Sequence, residues 1–204
     1  MHHGEEQYGY SPDNCHTRSS SHCHWLVTHI LSTSAERRRQ RLSAQVEFTK
    51  QQLEELYGPL AFLVLQGEQS SRDLAGALGK NLVFPENGQI EGEELKTWLF
   101  WVENDFFPRH QKIVALLASK AHLIEGERMP ESFLTFLNHQ HSWKLNHERW
   151  QKQGIAYSWH SKVSYPREFA KEVLSTFEQL KKRHSLLIGK IVKDDYLLPS
   201  FHRN

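Results

Sequence analysis

The chain has only two cysteines in 204 residues, Cys15 and Cys23. Both lie near the N-terminus, so no disulfide can staple the rest of the chain internally, and a reducing compartment, the cytoplasm, is the expected setting. Net charge is nearly absent as well: 25 Lys and Arg against 24 Asp and Glu leave +1. No global field recruits nucleic acid or an acidic membrane, and such binding would need a local patch. Long apolar runs are missing. The longest near the start, "WLVTHIL" from Trp25 to Leu31, is broken by Thr28 and His29. A helix of that length rises only about 10 Å, a third of the hydrocarbon thickness, so spanning is excluded and the chain is not expected to be an integral membrane protein. No strand alternation of comparable length occurs, no G-x-S-x-G is present, and neither cysteine lies in the body, so no nucleophile with its base is readable. "GALGKN" is not a P-loop, because Leu74 occupies the required first glycine position and Asn81 stands where Ser or Thr is needed.

What the sequence does have is helical periodicity. From Ser34, an N-cap candidate, Leu42, Val46, Leu53, Leu56, Leu60 and Leu63 fall on alternating four- and three-residue steps, with Thr49 in the remaining slot. This seam runs straight through Gly58-Pro59. Either the helix kinks and resumes there, or it stops at Tyr57 and another begins with Pro59 at its first position. In both readings Tyr57, Gly58, Pro59 and Leu60 form a structural corner, with Gly58 a candidate for positive φ. Residues 66–92 read as loop, although "SSRDLAGAL" could form a short helix. A second helix carries Leu95, Trp98, Leu99, Val102 and Phe106, and Pro108 marks its boundary. A third carries Ile113, Leu116, Leu117 and Leu123, and a fourth carries Phe133, Phe136, Leu137, Trp143, His147 and Trp150. The last begins at Pro166 with Phe169, Val173, Phe177, Leu180, Leu187 and Ile191 in its seam and His184 among them.

The expected fold is therefore all-α: a bundle of about five helices over 34–192, a mostly irregular His- and Ser-rich tail over 1–33, and a short tail over 193–204. The first and last long helices are expected to pack antiparallel through their seams, in the manner of a coiled coil.

The order of "QLEELYGPL", "WLFWVENDFFPRHQKI", "HLI", "NHQHSWK" and "SYPREF" resembles a group of small uncharacterised helical proteins, mainly bacterial, that carry an ELYGPL-type motif and are often membrane-anchored. The resemblance covers roughly residues 40–185. It implies a helical fold and supplies no activity. Where an anchor is expected, this chain has only "WLVTHIL".

Candidate sites are few. "CHTRSSSHCH" gathers Cys15, His16, His22, Cys23 and His24, ligands that zinc favours, but with neither a C-x2-C knuckle nor a following H-x3-5-H helix. His139, His141 and His147 lack the i, i+4 spacing of metalloprotease helices, so a site there would need Glu148, His110 or His184 from elsewhere. No metal and no cofactor are expected. The basic run Arg37, Arg38, Arg39 and Arg41 suits an anionic surface, but no aromatics interleave with it, so nucleic acid is not an expected partner. Trp101 points away from the Trp98 stripe and is expected to be exposed as a surface contact. The function these features favour is a non-catalytic helical interaction or scaffold protein, with a protein partner and a weak peripheral contact with anionic membrane. The rival is a metal-binding helical-bundle enzyme using His and Glu side chains.

Overall fold

The structure is a computed structural model that describes residues 18–79, 90–155 and 167–197, with side chains for residues 29, 32–79, 90–155 and 167–194. It is an all-α bundle, with no strand among the described residues. Helix α1 (Arg18–Gln51) passes through a π turn (Gln52–Tyr57) into α2 (Gly58–Ala77). Helix α3 (Gly92–Trp101) passes through a second π turn (Val102–Phe106) into α4 (Phe107–Ser119). A 3-10 turn (Ala121–Leu123) leads on to α5 (Glu131–Gln153), which ends on Gly154 at φ 69°, and α6 (Arg167–Leu197) follows.

Several boundaries differ from the sequence reading. Helix α6 runs to Leu197, into the stretch read as a tail over 193–204, and α4 ends at Ser119, leaving Leu123 in the 3-10 turn. Helix α1 starts at Arg18 rather than Ser34, and no Gly or Pro occurs between Asp13 and Tyr57 to interrupt it. Helix α2 continues to Ala77 through the stretch read as loop. Pro108 does not end a helix: it lies in the first turn of α4, directly after a π turn.

Both helix-internal prolines share one local solution. The residue ahead of each donates its N–H five residues back, Gly58 to the Leu53 carbonyl and Phe107 to the Val102 carbonyl. Where the hydrogen bonding returns from this wide register to the α register, a carbonyl goes unserved in any case. A residue without an N–H therefore costs less there than in a helix interior. Tyr57 (φ −72°) and Gly58 (φ −64°) keep right-handed helical dihedrals, so Gly58 is not a positive-φ residue. Glycine is required for another reason. An added Cβ would lie 2.5 Å from the Leu53 carbonyl oxygen that accepts the π bond.

The chain divides into two compact units, residues 45–189 and residues 1–44 with 190–204. Within the larger unit one apolar cluster joins Leu56, Tyr57, Leu60, Leu63 and Val64 to Ile113 and Leu117 of α4, Phe133 and Phe136 of α5, and Phe169, Val173 and Leu180 of α6. A second collects Leu74, Ile90, Trp98, Val102, Phe106, Phe107 and Trp143. Of the long-helix seams read from the sequence, Leu56, Leu60, Leu63, Phe169, Val173, Leu180 and Leu187 are buried, while Leu42, Val46, Leu53, Phe177 and Ile191 are half-buried. Gln52 and Arg183 both bind Glu125, while Gly58, farther along the first helix, faces Phe177, which precedes Arg183 on α6. The first and last helices therefore run antiparallel in this unit.

Candidate functional site

Helix α5 places His139, Trp143 and His147 on one stripe, each four residues from the next and all buried. Facing them are Phe106, Phe107 and His110 from the second π turn and α4. The indole of Trp143 meets the Phe107 ring edge-on at 4.9 Å, stacks on Trp98 at 5.8 Å, and lies 5.6 Å from His139 and 6.0 Å from His110. His110 and His139 are themselves 6.0 Å apart between ring centroids. At the rim, His147 Nε2 lies 3.2 Å from Glu103 Oε1, which also accepts from Gln151 Nε2 at 2.9 Å.

Burial, reinforced by the positive charge that His139 and Arg109 would place beside it, pushes the pKa of His110 down to about 3. Its imidazole is thus neutral at pH 7, whereas a proton carrier working at that pH would titrate near it. Trp143 Nε1 is buried with no hydrogen-bond acceptor among the described residues. No group of three His, Cys, Asp or Glu side chains able to hold a metal occurs among the described residues.

The QLEELYGPL segment builds a second polar centre. Gln52 Nε2 donates to the Leu123 carbonyl at 3.0 Å and to Glu125 Oε2 at 2.9 Å. The Glu125 backbone N–H donates to Tyr57 Oη at 3.0 Å, and Arg183 donates to Glu125 Oε1 at 2.6 Å. Lys120 Nζ reaches Glu55 Oε2 at 2.5 Å. Three side chains of one π turn thus hold residues 120–125. The Arg183 hydrogen bond holds the Glu125 carboxyl below its ordinary pKa, and burial raises that of Tyr57. This is a closed clamp between helices and a loop. A third pairing, in which Ser70 and Arg109 both donate to Asp105, ties α2 to the second π turn.

The residues singled out in the sequence fall as follows. Tyr57 and Leu60 are fully buried and Gly58 and Pro59 half-buried, with helical backbone through the pair. Arg37, Arg38, Arg39 and Arg41 are exposed on α1. Trp101 is half-buried against the second apolar cluster; the exposed aromatic is its neighbour Phe100, on which Trp101 packs edge-on at 5.6 Å. Of the histidines, His110, His139 and His147 come together, while His141 is exposed and His184 is half-buried on α6. The carboxylate at His147 is Glu103; Glu148 pairs with Lys144 and Lys152. Cys15 and His16 lie outside the described residues, as do the side chains of His22, Cys23 and His24 and all of "WLVTHIL" except His29. The H-x3-W-x3-H spacing that makes the α5 stripe was visible in the sequence; of its partners His110 was among the candidates named there, and Glu103 was not. No family model, curated protein or solved structure matches the chain.

Proposed function

We propose that the chain is a non-catalytic helical interaction or scaffold protein that works through contacts on its outer helix faces. The observation that carries this reading is the contrast between its inside and its outside. Inside, the buried polar side chains Gln52, Arg109 and His147 are each engaged by a carboxylate nearer the surface, Glu125, Asp105 and Glu103. Outside, large apolar side chains face solvent, with Phe62 at 67%, Phe100 at 60% and Leu65 at 51% exposure. Phe62 and Leu65 are three residues apart on α2 and share one face. Exposed aromatics of this kind serve as anchors when a partner buries them.

The cytoplasmic setting belongs to the same proposal, supported by the confinement of cysteine to Cys15 and Cys23. Among the described residues no helix is long and apolar enough to cross a membrane. The likeness to the ELYGPL group is likewise part of the proposal, supported by the specific structural work that QLEELYGPL does here.

A photo-crosslinking residue at Phe62, compared with one at exposed Ser71, nine residues on and half a turn round α2, tests the reading in cells. Discrete protein adducts from position 62 and few from position 71 are expected; none, or the same pattern from both, would overturn it. The rival metal enzyme draws on the His110, His139 and His147 seam. Stoichiometric zinc or iron that survives dialysis of untagged protein would favour the rival.

A further inference from the structure

The smaller unit gathers cations on its described surface. Arg38 is held by Asp194 through two contacts of 3.3 Å, which join α1 to α6 inside this unit and occupy that carboxylate. Around this pair Arg37, Arg39, Arg41, Lys190 and Lys193 are all exposed. Arg37, Arg41, Lys190 and Lys193 form no ion pair among the described residues. Glu36, next to Arg37, is exposed as well, but beyond the Arg38–Asp194 pair the closely spaced like charges oppose the fold. Arg37 with Arg41, Arg38 with Arg41 and Lys190 with Lys193 stand at i, i+4 or i, i+3, where like charges cost a helix a few tenths of a kcal/mol each. A chain with net charge +1 has no overall excess to explain such a concentration.

We propose that this surface docks on an anionic phospholipid membrane face. The inference rests on the interaction reading above and names a partner for a different surface. Guanidinium groups match phosphate oxygens in bidentate fashion, and a layer of lipid phosphates would relieve the repulsion that the fold leaves uncompensated. Lipid fits better than nucleic acid because the described exposed side chains here include no Phe, Tyr or Trp on which a base could stack. What lies beside the lysines instead is Val192, 46% exposed. Aliphatic groups with the long stems of Lys and Arg suit the boundary between headgroups and acyl chains.

Co-sedimentation of the full chain with vesicles of neutral phosphatidylcholine, and of the same lipid with roughly 30 mol % phosphatidylserine, tests this at about 0.05 and 0.3 M salt. Binding is expected to require phosphatidylserine and to weaken at the higher salt. The combined variant Arg37→Gln, Arg41→Gln, Lys190→Gln and Lys193→Gln should lose at least about tenfold in partitioning. The control Arg149→Gln with Lys152→Gln, which removes exposed cations elsewhere, should keep it. Both sets alter exposed side chains, and circular dichroism verifies that each variant is folded. Equal binding to neutral vesicles, no binding to anionic ones, or an equal loss in the control would overturn the proposal. So would tighter salt-sensitive binding to duplex DNA or to RNA than to vesicles. Adducts at Phe62 are read independently, so failure here and failure of the interaction reading are distinguishable.

Discussion

Replacing Gly58 with alanine sets two physical rules against each other. Glycine inside a helix is worse than alanine by roughly 0.5–1 kcal/mol, so propensity alone predicts that Gly58→Ala stabilises the protein. The structure predicts the opposite. The new methyl would stand 2.5 Å from the Leu53 carbonyl oxygen, well inside contact distance, and that atom is backbone. It cannot retreat freely, because it accepts the Gly58 N–H and lies between Gln52, whose amide holds Leu123 and Glu125, and the fully buried Leu56. Overpacking of this kind costs about 1–3 kcal/mol, leaving a net loss of up to roughly 2.5 kcal/mol after the propensity gain. With a urea slope of about 2 kcal/mol/M, the midpoint falls by up to roughly 1.2 M. Gly76→Ala is the control. It lies on the same helix with nothing within 4 Å of the added Cβ, and its expected effect is between zero and a gain of about 1 kcal/mol. Equilibrium urea unfolding, followed by circular dichroism, measures both. A Gly58→Ala midpoint above that of the parent chain would refute the account of the π turn.

The remaining predictions concern polar groups. His110 titrates at about 3 in the folded chain and near 6.5 when unfolded, so between those values the unfolded state binds the extra proton. Its contribution is complete above pH 6.5 or so and is lost as pH falls towards 3, by up to ~1.4 kcal/mol per unit. Stability against pH measured on His110→Phe should show a shallower slope across this window; an unchanged slope would refute it. Tyr57→Phe removes the acceptor of the Glu125 N–H and should cost about 0.5–1.5 kcal/mol in the same urea assay. Arg183→Ala breaks an ion pair whose two side chains are both about a third exposed or more, so its cost should stay below roughly 1 kcal/mol; a larger cost would show that the clamp acts cooperatively.

The seams were legible because helix burial has a period. Leu56, Leu60 and Leu63, and Phe169, Val173 and Leu180, could be listed from spacing alone, and with them the all-α class; the antiparallel direction of the long helices rests on the contacts of Gln52, Arg183, Gly58 and Phe177. Composition likewise determined that no disulfide could hold the body and that the chain has no strong overall charge.

Tertiary structure decided the rest, wherever a residue's meaning depends on a distant neighbour. Gly67 looks like a helix breaker, yet it sits within α2 because Arg109, held by Asp105, packs where its side chain would be, with Nε 3.1 Å from an added Cβ. Phe100 and Trp101 are adjacent and both aromatic, and only the packing of α3 on its neighbours determines which one faces solvent. The π turns ahead of Pro59 and Pro108 change a hydrogen-bonding register, which leaves no mark on hydrophobic spacing. Likewise, the stripe of His139, Trp143 and His147 could be read along one helix, but its pairing with His110 and Glu103 is a contact between residues far apart in the chain, which local periodicity does not encode.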